Sequence, residues 1–403
     1  MSKRVVITGI GNISSLGNNV EEMVSTLIQG INPYDYIPKE RFSTEHKLFR
    51  NNRGFMIDMN TYKRAKEKDI SVLYPIACQC ISEALSKAKL NTDTLKQYKT
   101  GLCLGTSVGA CYVMMERIKN QLKFNKDDFD LIKYTTPIMI GKVAKYYNIS
   151  GTVTAISTAC ASGTNSIGRG FDLIKNGKED IVICGGVDLF TELTYTGFNA
   201  LFAISKNKCK PFAMQRDGMS LGDACCIFIL ESYDTAKIRG AKIYGEVKGY
   251  HILNEAYHPT APHPEGKYAA ICMEKALKYS HMNVNQIDYI NAHGTGTEKN
   301  DEAEFKGLEI LLNNKTITTY MNSAKGLIGH TLGAAGSIEA LIGLLCMENQ
   351  TIYAENSNYE HLISNQIEFI NTIKKDVPIN AFISNSFGFG GNMASVVISK
   401  FIN

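Results

Sequence analysis

The chain has 403 residues, of which 44% are hydrophobic and 20% charged, enough for two domains or one two-lobed unit around a sizeable core. Its net charge of +4 is small for this length and the basic residues are scattered, which argues against a nucleic-acid partner. No uninterrupted apolar run reaches the roughly 18 residues of a membrane span, so no membrane insertion is expected.

From the N-terminus, Val5 to Ile10 reads as a first strand and turn; its apolar run is too short for a signal peptide. A helix is predicted over 74–88 and a strand over 101–104, ending in the turn Gly105-Thr106-Ser107-Val108-Gly109. A β-rich run over 152–156 leads into Ser157-Thr158-Ala159-Cys160-Ala161-Ser162-Gly163, and a helix follows through 167–174. Residues 180–186 read as a buried parallel strand ending on glycines, and 224–231 as another strand. A second round has strands over 243–250 and 287–290 with a helix over 269–279 between them. An apolar helix over 337–347 and strands over 377–385 and 394–399 complete it. Two rounds of alternation predict an α/β fold of two similar halves, 1–245 and 246–403, packed as one body.

The eleven cysteines are an odd number, and Cys103, Cys184 and Cys346 lie in apolar runs. Neither Cys78-Gln79-Cys80 nor Cys225-Cys226 has a second pair at zinc spacing. Reduced core cysteines in a cytoplasmic protein, with no metal, are expected. Cys160 stands apart. A strand-turn-helix elbow places it at a helix N-terminus, where the dipole favours thiolate and small neighbours admit an ester.

Two histidine motifs lie downstream. His293, in Asn291-Ala292-His293-Gly294-Thr295-Gly296-Thr297, follows a strand end, where α/β folds expose catalytic groups. The alternative is a turn histidine bonded only to backbone. His330 closes Asn322-Ser323-Ala324-Lys325-Gly326-Leu327-Ile328-Gly329-His330, with Lys325 and Glu339 flanking it as a partly buried ion pair or a solvated surface one. Finally, Asn385-Ser386-Phe387-Gly388-Phe389-Gly390-Gly391 reads as a glycine-rich loop able to present N–H groups to an oxyanion.

Together these segments resemble the β-ketoacyl-acyl-carrier-protein synthase II family, the elongating condensing enzymes of the thiolase superfamily. The likeness runs from VVITGIGNISSLG through TACASG, NAHGTGT and KGLIGHTLGAAG to NSFGFGG, and includes the stretch from Pro211 to Asp223. It implies a thiolase-like five-layered αβαβα fold, a homodimer or a heterodimer with a related subunit, and an acyl carrier protein as partner. It also implies no cofactor of the enzyme's own, since the phosphopantetheine arm is the carrier's. By resemblance the nucleophile is Cys160, the two catalytic histidines are His293 and His330, and Lys325 with Glu339 orders the site. Phe389 gates the pocket and lends its N–H to an oxyanion hole. Thr295 and Thr297 fall on pantetheine contacts, and Val108, Phe198 and Phe387 on the substrate pocket. Medium-length or unsaturated acyl chains are expected there.

Departures from the family pattern are Phe202 where many members carry a carrier-facing arginine, Ala213 after Pro211-Phe212, and Ala224 after Gly222-Asp223. Lys63, Arg64, Lys66 and Lys68 are the alternative basic carrier face. These changes favour a specialised polyketide condensing enzyme over a housekeeping one. A thiolase would carry a second cysteine where Ser386 and Phe387 stand, a priming-type enzyme an asparagine where His330 stands, and a non-catalytic chain-length partner would lack Cys160.

Overall fold

The computed structural model describes residues 3–44, 49–69, 71–109, 113, 135–313, 318–357 and 360–402. Strand β1 (Val5–Ser14) is followed by a small separate hairpin, β2 (Tyr34–Tyr36) with β3 (Arg53–Phe55). The first half continues with β4 (Thr100–Gly105), β5 (Val153–Ile156), β6 (Ile181–Asp188) and β7 (Ala224–Ser232). The second half holds β8 (Gly245–Asn254), β9 (Tyr289–Asn291), β10 (Thr319–Asn322), β11 (Ile367–Phe369), β12 (Ala381–Gly388) and β13 (Asn392–Ser399).

The two halves repeat one topology. The first is ordered β1-β7-β6-β4-β5 and the second β8-β13-β12-β9-β10, with β11 added at its edge. In each, the first strand pairs antiparallel with the last, and the last antiparallel with the strand before it. That strand runs parallel to the second, and the second parallel to the third. The halves join edge to edge where Val5 of β1 lies opposite Val247 of β8.

Helices fill both faces of these sheets and the space between them. The apolar runs of β6 and β7 are buried along their whole length, as strands covered on both faces must be. Between the sheets lie the helices Ser162–Lys175 and Ala335–Asn349, with Ile167, Phe171, Ile338 and Leu341 in one central core. Ala335–Asn349 is buried on every side from Ala335 to Met347, with Glu339 the one charge in that stretch, the signature of an enclosed helix. Outside the first half, Ile76 and Ile81 of helix Leu73–Lys87 pack with Val143 of helix Thr136–Tyr146. Outside the second, Met273 of helix Lys267–Tyr279 packs with Leu308 of helix Glu298–Leu312. The result is five layers, helix-sheet-helix-sheet-helix.

The central helices touch through glycine. A Cβ on Gly163 would lie 2.7 Å from the Ser337 nitrogen, and one on Gly336 would lie 2.0 Å from the Thr164 hydroxyl. Each helix follows the third strand of its half, so this contact brings the two strand-to-helix turns face to face. One turn carries Cys160 and the other His330.

Candidate active site

Cys160 sits on a strained elbow. Ala159 before it has φ +50°, a left-handed conformation in which the Cβ crowds the following carbonyl. The Ser162 hydroxyl donates to the Ala159 carbonyl at 2.6 Å and accepts from the Thr158 N–H at 2.8 Å, holding the turn. Cys160 is half-buried at the floor of a cavity of about 380 Å³.

Its sulfur and one ring nitrogen each from His293 and His330 all lie within 4.8 Å of one another. The two rings stand at 89° to each other with centroids 5.5 Å apart. His293 comes from the turn after β9, His330 from the stretch between β10 and the second central helix, both at the carboxyl ends of parallel strands.

Hydrogen bonds decide both tautomers. The Nδ1 of His293 accepts from the Lys325 ammonium at 3.1 Å, and the Nδ1 of His330 accepts from the Leu332 N–H at 3.0 Å. Each neutral imidazole therefore carries its proton on Nε2. Burial holds both histidines well below the usual imidazole range, and the Lys325 charge lowers them further. Two neutral N–H groups and a thiol present hydrogens to the cavity rather than lone pairs, which suits an oxyanion better than a metal ion.

Lys325 and Glu339 form an ion pair with side chains 0% and 1% exposed, neither partly buried nor solvated as expected. Lys325 also donates to the His293 carbonyl at 2.5 Å, so the lysine serves His293, although the sequence sets it beside His330. Burial pushes the Glu339 carboxyl up to about 7, and Lys325 draws it back.

The thiol departs from expectation as well. Burial pushes Cys160 up to about 11, outweighing the pull of the Lys325 charge and of the backbone N–H groups of Phe389 and Cys160. Desolvation thus favours the thiol over a dipole-stabilised thiolate, and those N–H groups stand ready for negative charge that forms later.

Phe198, Thr295, Thr297, Phe387 and Phe389 all line the cavity. The Thr295 and Thr297 hydroxyls are 2.8 Å apart, and the Phe198 and Phe389 rings are 5.8 Å apart. The expected glycine-rich loop is mostly strand: β12 runs to Gly388, leaving Phe389–Gly391 as a single turn. Val108 does not border the open cavity. It packs in a cluster with Phe198, Met219 and Leu332, of which Phe198 and Met219 also line the cavity. Lys63, Arg64, Lys66 and Lys68 ride on helix Met59–Lys68, away from the cavity lining, with Lys63 4.0 Å from Glu40. Phe202, by contrast, lines the cavity mouth and is 77% exposed.

Two buried carboxylates escaped the sequence reading. Glu304 accepts the His293 and Gly294 N–H groups, both at 2.8 Å, and burial pushes it up to about 7. A signal existed, since Asp301 and Glu304 share the face of helix Glu298–Leu312 that carries Leu308 and Leu312. Asp188, at the end of β6, accepts from Ser107 and Gly333 N–H groups at 2.6 and 2.7 Å.

Comparison with known proteins agrees with this geometry. The chain matches the family "Beta-ketoacyl synthase, N-terminal domain" over residues 2–236 and "Beta-ketoacyl synthase, C-terminal domain" over 244–359. It is 32% identical to a putative mitochondrial 3-oxoacyl-[acyl-carrier-protein] synthase of Schizosaccharomyces pombe, over 99% of this chain and 100% of that one. It is also 32% identical to 3-oxoacyl-[acyl-carrier-protein] synthase 2 of Synechocystis, covering 99% and 98% of the two chains. Among solved structures, a type II PKS ketosynthase complexed with its acyl-carrier protein and bound to the hexaketide superposes with TM-score 0.88 at 28% identity over 100% of both chains. The ishigamide ketosynthase/chain length factor gives TM-score 0.86 at 27% identity, again over 100% of both. With both domains matched and full-length relatives at this identity, the chain belongs to the β-ketoacyl synthase family of condensing enzymes.

Proposed function

We propose that this chain elongates an acyl group held on Cys160 by decarboxylative condensation with a malonyl group on an acyl carrier protein. The observation that carries the reading is the convergence of one thiol and two Nε2–H imidazoles on one cavity. In the first half-reaction the Cys160 sulfur attacks the carbonyl of an acyl thioester. The carrier's C–S bond breaks, a new C–S bond forms, and the thiol proton leaves with the departing carrier thiol. The N–H groups of Cys160 and Phe389 stabilise the tetrahedral oxyanion.

In the second half-reaction the malonyl C–C bond breaks to release carbon dioxide, and its electron pair forms an enolate. His293 and His330 donate through Nε2 to that enolate oxygen, with Lys325 and Glu339 holding His293 in the tautomer this needs. The enolate carbon attacks the acyl carbonyl, and the Cys160 sulfur leaves and takes up a proton. The product is a β-ketoacyl thioester two carbons longer.

Thr295 and Thr297 meet the polar groups of the carrier's pantetheine arm. Phe198, Phe387 and Phe389 enclose the acyl chain, with Val108 stiffening the wall behind Phe198. Lys63, Arg64, Lys66 and Lys68 form the basic face toward an acidic carrier. No cofactor of the chain's own enters this chemistry, because the phosphopantetheine belongs to the carrier. The residues divide at 245 into a nucleophile-bearing half and a histidine-bearing half. The chain works in the cytoplasm as a dimer; among the described residues every cysteine is free and no helix is long and apolar enough to cross a membrane.

A second reading is favoured by the likeness to a type II PKS ketosynthase and to a ketosynthase/chain length factor, and by Phe202 at the mouth. It is that of a specialised ketosynthase, one that cyclises its product or works beside a related chain-length subunit.

The test is intact mass after incubation with a panel of acyl-carriers, followed by malonyl-carrier. Cys160→Ala should lose every acyl adduct, while Cys103→Ala and Cys346→Ala keep theirs; an adduct on Cys160→Ala overturns the assignment. His293→Ala or His330→Ala should lower malonyl decarboxylation by roughly 10²–10³-fold, as removal of an oxyanion donor does, with acyl transfer to Cys160 hurt less. Equal losses in both steps would instead make the histidines activators of the thiol.

A further inference from the structure

Asp188 has no exposed surface, and its carboxylate ties together two turns from different halves of the molecule. On one side it accepts from the Thr106 hydroxyl at 2.5 Å and from the Ser107 and Val108 N–H groups at 2.6 and 3.1 Å. That turn ends β4, and its Val108 packs with Phe198 in the pocket wall. On the other side Asp188 accepts from the Gly333 N–H at 2.7 Å. Gly333 leaves no slack: a Cβ there would lie 2.4 Å from the Ser107 nitrogen and 2.6 Å from an Asp188 oxygen.

Leu332, between His330 and Gly333, has φ +54°, a conformation leucine adopts only where its surroundings over-determine it. The Leu332 N–H donates to His330 Nδ1 at 3.0 Å, which puts the histidine's proton on Nε2. The next N–H along the chain is the one Asp188 holds.

We propose that Asp188 is a positioning residue for His330, clamping the left-handed Leu332 through Gly333 and tying that clamp to the pocket wall through the turn 106–108. The clamp needs an acceptor-only group, since it meets four donors; an asparagine would turn an NH2 toward at least one of them. The catalytic consequence rests on the reading of His330 as donor to the enolate, but the clamp itself does not.

The experiment is nitrogen NMR of the full chain labelled at histidine, with His330 assigned by comparison with His330→Gln. The parent should show the Nε2–H tautomer at His330. Asp188→Asn should move His330 toward a mixture of tautomers while His293, held by Lys325, stays put. With malonyl-carrier, the same variant should lose roughly 10–10²-fold in kcat for decarboxylation, the scale of an ångström-sized misplacement. Its KM should change by less than about twofold, and acyl transfer to Cys160 from a small thioester should stay near parent. Should Asp188→Asn not fold, Thr106→Val frees one partner of the same carboxylate and should shift His330 in the same direction by less. Unmoved His330 signals in both variants overturn the proposal, as does equal movement of His293. The tautomer readout requires no turnover, so a failure of the condensing reading would show separately, as a parent that neither loads Cys160 nor releases carbon dioxide.

Discussion

Lys325 does the most electrostatic work of any single residue in the site. Its ammonium lowers His293, His330 and Cys160 together, and draws Glu339 back from the value burial imposes. A histidine at its ordinary value of about 6.5 would be half protonated there and lost as a neutral donor at lower pH. Because burial and Lys325 depress both histidines, neither should protonate between pH 8 and pH 6, and any fall in decarboxylation by the parent across that range would trace to Glu304 and Glu339, which burial pushes up to about 7. Lys325→Met removes one depressing charge and the donor on His293 Nδ1, so the His293 value rises toward ordinary. Its kcat should therefore fall more steeply than the parent's as pH drops through that range, measured as carbon dioxide release. A variant whose pH profile matched the parent's would place the depression in burial alone. Arg41–Asp223 is a second buried ion pair, in a structural setting. Its bonds of 2.6 and 3.1 Å join side chains 2% and 0% exposed.

The elements that matter most are the two central helices, since their crossing sets the distance between Cys160 and His330. Glycine at the crossing lets the backbones meet. A methyl group on Gly336 would sit 2.0 Å from the Thr164 hydroxyl and 2.6 Å from the Ser386 hydroxyl. Gly336→Ala should therefore cost about 1–3 kcal/mol by overpacking and slow both half-reactions, because the helices carry the thiol and the histidine apart. Gly197 offers the control. It lies inside helix Glu192–Ala200 with nothing among the described residues within 4 Å of an added Cβ, so Gly197→Ala should stabilise by about 0.5–1 kcal/mol. Urea midpoints of the two variants, moving in opposite directions, check both.

At the scale of the whole molecule, polar clamps knit segments far apart in sequence around the pocket. Asp223, just before β7, accepts from Arg41, from the Phe190 N–H at 2.9 Å and from the Ile57 N–H at 3.3 Å. Arg41 in turn donates to the Phe190 carbonyl at 2.7 Å and stacks 4.5 Å over the Tyr62 ring. Arg41→Met would leave Asp223 buried and uncompensated, so a loss of about 3–5 kcal/mol is expected in urea unfolding. Arg41→Met with Asp223→Asn should recover part of that loss, since no lone charge then remains. An additive double variant would mean that the pair is not coupled.

Much of this molecule was legible in the amino-acid sequence. Alternating apolar strands and amphipathic helices set the α/β class, because burial on two faces and on one face leaves different periodicities. Local turn chemistry marked Cys160, His293, His330 and the Phe389 segment, since a catalytic group at a strand end needs small, permissive neighbours. What the sequence could not settle is which groups meet. Lys325 lies five positions from His330, yet it bonds His293, 32 residues away, because β9 and β10 are parallel neighbours in the sheet. Glu304 and Asp188 look like ordinary surface or strand-end acids until helix Glu298–Leu312 and β6 bury them against backbone N–H groups. The protonation of Cys160 was likewise decided by tertiary structure. A helix start favours thiolate, but partial burial in the cavity wall strips away much of the water that would solvate it, and the desolvation is the larger effect.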